Sequence, residues 1–154
     1  MLHFEGFTAM QVFTPFPVVV FQEVPGEISL GFMIKGCRLG CQGCSYKSLR
    51  DWAVLDLQTY TQILDRYAGQ ATCVVFMGGD WLEELPLFLF EAQQRGYKRC
   101  LYTGKELAEV NPAIVRELDF IKVGRWQGIL MGKPEGNQRF LNLRSGQDWT
   151  SRFK

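Results

Sequence analysis

Apolar residues along the chain repeat with two different periods. Between residues 59 and 67 they stand at 60, 63, 64 and 67, the spacing of one helix face, and Gly69 closes the run. Leu85, Leu89 and Ala92 repeat that spacing, with Pro86 suited to a first helical turn and Gly96 at the end. Elsewhere 73–77 is a short unbroken apolar run with β-branched side chains, and 28–35, 99–102 and 120–123 are short stretches in which apolar residues predominate. Such runs predict buried strands. Residues 105–118 predict a further helix, interrupted near Asn111-Pro112.

Strands alternating with helices imply right-handed βαβ crossovers and a parallel sheet. Each predicted strand runs into a glycine turn: Gly36, Gly78-Gly79, Gly104 and Gly124. Parallel α/β folds place their sites at that edge. About four or five strands are too few to close a barrel of eight. The expected fold is therefore α/β, a small open partial (β/α) barrel with a mainly parallel sheet. Ahead of it, Phe13, Pro15, Phe16, Pro17 and the run 18–21 predict an edge strand or an irregular extended arm rather than a helix. The chain reads as a single domain over 1–154, with an N-terminal arm (1–24), a βα core (28–126) and a C-terminal extension (127–154). It has no internal repeat and no low-complexity tract.

Composition narrows the functional classes. At 154 residues and 47% hydrophobic, the chain can build one real core. Seventeen basic side chains against sixteen acidic ones leave a net charge of +1, so no overall field draws it to nucleic acid or to a membrane surface. No stretch approaches the ~20 apolar residues of a membrane span, and the start lacks a basic segment followed by an apolar one. A cytoplasmic location is expected. Five cysteines stand at 37, 41, 44, 73 and 100. An odd number with three packed closely does not suit a disulfide framework and points instead to metal.

The cluster reads Gly36-Cys37-Arg38-Leu39-Gly40-Cys41-Gln42-Gly43-Cys44, a C-x3-C-x2-C spacing. Three thiolates on one glycine-bearing loop can converge on a single centre. A structural zinc wants a fourth protein ligand, which would have to be His3, Cys73 or Cys100. The last two lie in apolar strand runs, where buried inert thiols are common. An iron–sulfur cubane held by three cysteines leaves one iron open, and a methionine amino group and carboxylate can chelate it. Three unconnected cysteines are the plainest alternative.

The cysteine loop resembles the signature of the radical S-adenosylmethionine superfamily. Gly78-Gly79-Asp80 resembles that superfamily's Gly-Gly-Glu turn, and Leu101-Tyr102-Thr103-Gly104 resembles a Tyr-Thr-Gly strand end. The segments 119–126 (Asp119 to Trp126) and 136–140 (Gly136-Asn137-Gln138-Arg139-Phe140) resemble two late motifs of the anaerobic ribonucleoside-triphosphate reductase activating proteins, a glycyl-radical activase family. Together the pieces span residues 24 to 143. Asp80 stands where the family has Glu, Trp81 where Pro is frequent and Val123 where an Asp is usual, and the N-terminal arm is longer.

The resemblance implies a [4Fe–4S] cluster on Cys37, Cys41 and Cys44, with Gly43 and Ser45 near the adenosyl group of S-adenosyl-L-methionine. It implies that Gly78 and Gly79 admit the methionine end and that Asp80 accepts its ammonium. Thr103 would contact ribose or carboxylate, or simply cap its strand. Asn137, Gln138 and Arg139 would bind the partner, brace the cofactor or form a surface turn. The implied reaction is reductive cleavage to a 5′-deoxyadenosyl radical, which generates a glycyl radical on anaerobic ribonucleoside-triphosphate reductase. A flavodoxin- or ferredoxin-like protein, or another one-electron donor, would supply the electron. Two other readings stay open. One is a small radical enzyme acting on a free metabolite, 7-carboxy-7-deazaguanine synthase-like, against which counts the short tail after the last predicted strand. The other is a non-catalytic iron–sulfur carrier or zinc protein, which requires a fourth ligand.

Overall fold

These short, mainly apolar stretches become the middle of a sheet because both of its faces are covered. The computed structural model describes residues 2–4, 7–14, 16–35, 52–129, 131–133 and 135–153. Ten strands are found there: β1 (Leu2–Phe4), β2 (Phe7–Phe13), β3 (Val18–Val20), β4 (Ser29–Met33), β5 (Trp52–Asp56), β6 (Cys73–Met77), β7 (Lys98–Tyr102), β8 (Phe120–Val123), β9 (Arg139–Asn142) and β10 (Gln147–Asp148). The helices are α1 (Leu57–Arg66), α2 (Leu85–Gln94) and the short α3 (Pro112–Val115).

The main sheet has the order β10-β9-β8-β7-β6-β4-β3. Its four central strands, β4, β6, β7 and β8, are parallel and lie side by side in chain order. β3 pairs antiparallel on one flank, and β9 and β10 do so on the other. The fold is thus mixed α/β with a parallel centre. The register aligns Met33, Met77, Tyr102 and Lys122 in one row near the C-terminal ends of the parallel strands.

Side chains alternate between the two faces, as the pleat requires. Leu30, Phe32, Val74, Phe76, Leu101 and Ile121 pack under the helices with Tyr60, Leu64, Phe88 and Leu89. The Tyr60 ring meets Phe88 edge-on at 4.9 Å, and its hydroxyl donates to the Phe88 carbonyl at 2.8 Å. Both ends of that buried phenol are therefore satisfied. On the opposite face Cys73, Val75, Cys100 and Phe120 are covered by Val24, Phe140, Trp149 and Phe153. The helix α1 begins where Asp56 accepts from Thr59 N at 2.6 Å, and it buries Tyr60, Ile63 and Leu64, the stripe read from the sequence.

One expectation needs correction, and two parts of the sheet were not foreseen. The predicted helix over 105–118 is a 3-10 turn at Leu107–Glu109 followed by one turn of α3. Asn111 caps Ala113 N at 3.0 Å and Pro112 supplies the first helical residue, so the break near 111–112 leaves only these two short pieces. The strand β5, on which no expectation was placed, pairs with β2 in a separate antiparallel sheet, β1-β2-β5. The extension after residue 127 is likewise not a bare tail, since β9 and β10 continue the main sheet. The N-terminal arm is extended, as expected, with β3 as an edge strand. Its β2 meets the end of β4 through a Val12–Ile34 bridge and a Lys35 N to Gln11 O bond of 3.0 Å. Among the described residues no helix is long and apolar enough to cross a membrane.

Candidate functional site at the strand ends

The turn after β6 is built on two glycines in the left-handed region, Gly78 at φ +91° and Gly79 at φ +98°. Residues other than glycine rarely adopt that backbone, and neighbouring side chains crowd both positions as well. A Cβ on Gly79 would stand 3.2 Å from Ile34 Cγ1, and one on Gly78 would stand 3.0 Å from the Trp81 ring. Gly78 N donates to Tyr102 O at 2.9 Å, and Leu82 N donates to Gly79 O at 2.9 Å, which closes the turn. Ile34 N in turn donates to Met77 O at 3.0 Å. The Gly-Gly turn is thereby packed on the stretch of chain that leads into residue 36.

The candidate ligands Cys37, Cys41 and Cys44, together with Gly43 and Ser45, lie outside the described residues. The residues flanking that segment are themselves in contact: Lys35 Nζ sits 4.3 Å from the centre of the Trp52 ring, which also packs on Phe13 at 3.8 Å.

Asp80 follows the glycines and is buried, its side chain 4% exposed. Its Oδ2 lies 3.2 Å from Lys105 Nζ. Lys105 stands in the next strand-end turn, after β7, and its main chain is held on both sides. Its N–H donates to Thr103 Oγ1 at 3.1 Å, and its carbonyl accepts from Gly124 N at 2.9 Å. Thr103 is buried, and its hydroxyl serves as the strand-end cap, one of the two roles open to it from sequence. Gly78, Gly79, Asp80, Thr103 and Lys105 thus meet at one edge, across the turns that follow β6, β7 and β8. Sequence reasoning missed Lys105, because only a buried carboxylate one βα unit away gives it a purpose.

The late motif is a brace. Gln138 is buried and donates from Nε2 to Gly124 O at 3.1 Å, while Gly124, at φ +100°, lets the Asn137–Gln138 backbone approach. Arg139 Nη1 donates to the carbonyls of Gly136 and Gln138 at 2.7 and 2.9 Å. Asp119 lies at the other end of β8. It accepts from Arg99 N and Nη2 at 2.9 and 2.8 Å and from Arg144 Nε at 2.7 Å. Burial alone would raise its carboxyl, but the bonds from Arg144 and Arg99 outweigh that and hold it below the usual carboxylate value.

Cys73 and Cys100 are buried on the sheet face away from the helices. Burial pushes the Cys73 thiol up to about 12 and the Cys100 thiol well above its ordinary value. A rise of roughly 3.3 Å per residue places Cys73 about 13 Å down its strand from Met77. Among the described residues no group of three or more His, Cys, Asp or Glu side chains converges as a metal site. On the same face as the two thiols opens a cleft of about 590 Å³, lined by Glu23, Tyr102, Lys122, Trp126, Arg152 and Phe153 among others. Tyr102 donates its hydroxyl to the Glu23 carbonyl, and Lys122 Nζ lies 4.3 Å from the Tyr102 ring centre. Of the remaining tryptophans, Trp149 packs on Phe120 at 5.3 Å, whereas Trp81 is partly exposed over Gly78.

No family model matches the chain, and no curated protein or solved structure is similar enough to it to count as a match.

Proposed function

We propose that this chain is a radical S-adenosylmethionine enzyme and, more finely, the glycyl-radical activase of an anaerobic ribonucleoside-triphosphate reductase acting in the cytoplasm. The observation that carries the reading is the contact between Gly79 and Ile34. It sets the Gly-Gly-Asp turn, which would receive the methionine end, against the strand that runs into the cysteine segment. In this reading the four parallel strands are the wall of an open partial barrel, with the site along their C-terminal edge.

The described residues fit the group that the cysteine motif implies. The paired glycines let the turn pack closely on Ile34 and Trp81, Asp80 presents a buried carboxylate beside them, and Cys73 and Cys100 are buried on the sheet face away from the helices, as inert thiols would be. Cys37, Cys41 and Cys44 would hold a [4Fe–4S] cluster, with Gly43 and Ser45 beside the adenosyl group. When bound, the cluster supplies the electron that splits S-adenosylmethionine into methionine and the 5′-deoxyadenosyl radical that takes hydrogen from a glycine of the partner. The protein's own share is orientation and exclusion of water. Gly78 and Gly79 admit the methionine backbone, Asp80 accepts its ammonium, and Thr103 holds the Lys105 turn in place. The Gln138–Gly124 bond closes the far side of the same edge.

One observation favours a second reading, an enzyme acting on a free metabolite of the 7-carboxy-7-deazaguanine type. The C-terminal extension helps to line the cleft beside Tyr102 and Lys122, so material for a small substrate pocket is present. Against a zinc or carrier reading counts the burial of Cys73 and Cys100, whose thiols are pushed above their ordinary values. The test is an incubation of the reconstituted, reduced protein with S-adenosylmethionine and the reductase. The activase reading predicts a glycine-centred doublet in the paramagnetic resonance spectrum. Turnover of S-adenosylmethionine with no doublet on the reductase overturns that finer assignment in favour of the metabolite enzyme.

A further inference from the structure

We infer that the outer edge of β3 is an interface between two copies of this chain, at which a second copy adds its own β3 antiparallel about a two-fold axis through Val19. The inference is independent of the radical chemistry above.

The main sheet ends differently on its two flanks. β10, the outer strand on one side, is Gln147–Asp148, polar and exposed, and a charge of that kind blunts an open edge. β3, the outer strand on the other side, is Val18-Val19-Val20, and the chain from Phe13 to Gln22 carries no charged residue. Among the described residues nothing pairs with the far side of β3. Val19 stands opposite Leu30, which lies in the core under the helices, yet Val19 itself is 40% exposed. The cover on that face of the sheet therefore ends at the edge strand. The same register, carried one pair beyond β3, sets Phe21 opposite Ile28, and these are 66% and 39% exposed. Three large apolar residues thus stand together along an unpaired edge, and exposed patches of this kind mark interaction sites.

An open edge dictates the form of its partner, because a row of N–H and C=O groups is satisfied by another extended strand. Self-complementarity then selects a second copy. In an antiparallel pair centred on Val19, Val18 faces Val20 of the other copy and Phe21 faces its Pro17. Every pair in that register is apolar, so no like charges meet, and a net charge of +1 sets little repulsion between the copies. Pro17, which has no N–H to give, falls at the end of the shared ladder and not within it. The two-fold repeats each contact once, so the assembly closes at two copies and leaves no β3 edge open. Strands of three residues bury little area, which puts the dimer in the weak, concentration-dependent class.

The experiment is sedimentation equilibrium of the full chain from about 1 to about 200 μM. The weight-average mass of the wild type should rise from one chain towards two with concentration. Val19→Lys sets two ammonium groups against each other across the axis. Phe21→Asp, just outside the strand, removes an apolar contact and serves if the first variant fails to fold. Either should weaken the dimer at least about tenfold. Phe90→Asp is the control, since Phe90 is 44% exposed but stands on α2, and it should leave the dimer constant unchanged. Amide exchange of the wild type should show residues 18–21 gaining protection as concentration rises. A wild type that stays monomeric throughout overturns the inference, as does growth beyond two copies. So does a dimer that Phe90→Asp weakens as much as the edge variants do, or one whose formation leaves exchange at 18–21 unchanged.

Discussion

The Cβ that Gly79 lacks would lie 3.2 Å from Ile34 Cγ1, so the turn after β6 and the strand leading to the cysteine segment are in direct contact. Gly79→Ala therefore meets two penalties, a left-handed backbone at φ +98° and a collision. Gly69 has a similar φ of +80° with open space around it, so Gly69→Ala isolates the backbone part. Urea unfolding should give a loss of about 1 kcal/mol for Gly69→Ala and about 3 kcal/mol for Gly79→Ala. Equal losses would mean that the contact with Ile34 yields at no cost.

Acid should weaken the fold in part through Asp119. Its carboxyl is held below its unfolded value by Arg144 and Arg99, so its stabilisation is present above the unfolded carboxylate value near ~3.9 and is lost as pH falls through the folded one. Asp119→Asn should cost about 3 kcal/mol at pH 7 and flatten the acid limb of the stability curve below about pH 4. An unchanged acid limb would show that the two arginines do not act through this carboxylate.

The two strand thiols should be chemically silent. Cys73 and Cys100 are fully buried with raised thiol values, so alkylation at pH 8 should modify them only after unfolding. Cys73→Ala and Cys100→Ala should each retain the full iron content of the reconstituted protein and lose about 1–2 kcal/mol of stability. Loss of metal on either change would restore the four-ligand reading.

The extension beyond residue 127 is part of the core. Phe140 is fully buried between Phe120, at 5.7 Å, and Phe153, at 5.0 Å. Phe140→Ala should destabilise the protein by about 3–5 kcal/mol in chemical unfolding. A loss below about 1 kcal/mol would mark the tail as an appendage.

Much of this arrangement was legible in the sequence where a residue's environment repeats along the chain. Cys73–Met77 and Phe120–Val123 were read to their end residues because central parallel strands are apolar on both faces. β5 was not legible: Trp52 and Val54 are exposed, and its pairing with β2 rather than its own pattern defines it. β9 escaped for the same reason, because its order comes from β8. At the site, glycines with a forced backbone announced themselves, and so did the buried acid beside them. Lys105 did not, because an ion pair between successive turns leaves no mark in either local sequence. Asn137, Gln138 and Arg139 stood out as a motif, yet their role as a brace depends on Gly124, a partner brought close only by the fold.

The central claim is that three cysteines hold a cluster which cleaves S-adenosylmethionine. It is tested most directly by reconstituting the protein anaerobically, reducing it, adding S-adenosylmethionine and assaying 5′-deoxyadenosine beside the paramagnetic resonance spectrum of the cluster. The account predicts 5′-deoxyadenosine from the wild type, a cluster signal altered by the ligand, and loss of both in Cys41→Ala. An iron-loaded wild type that forms no 5′-deoxyadenosine and whose signal ignores the ligand would contradict it.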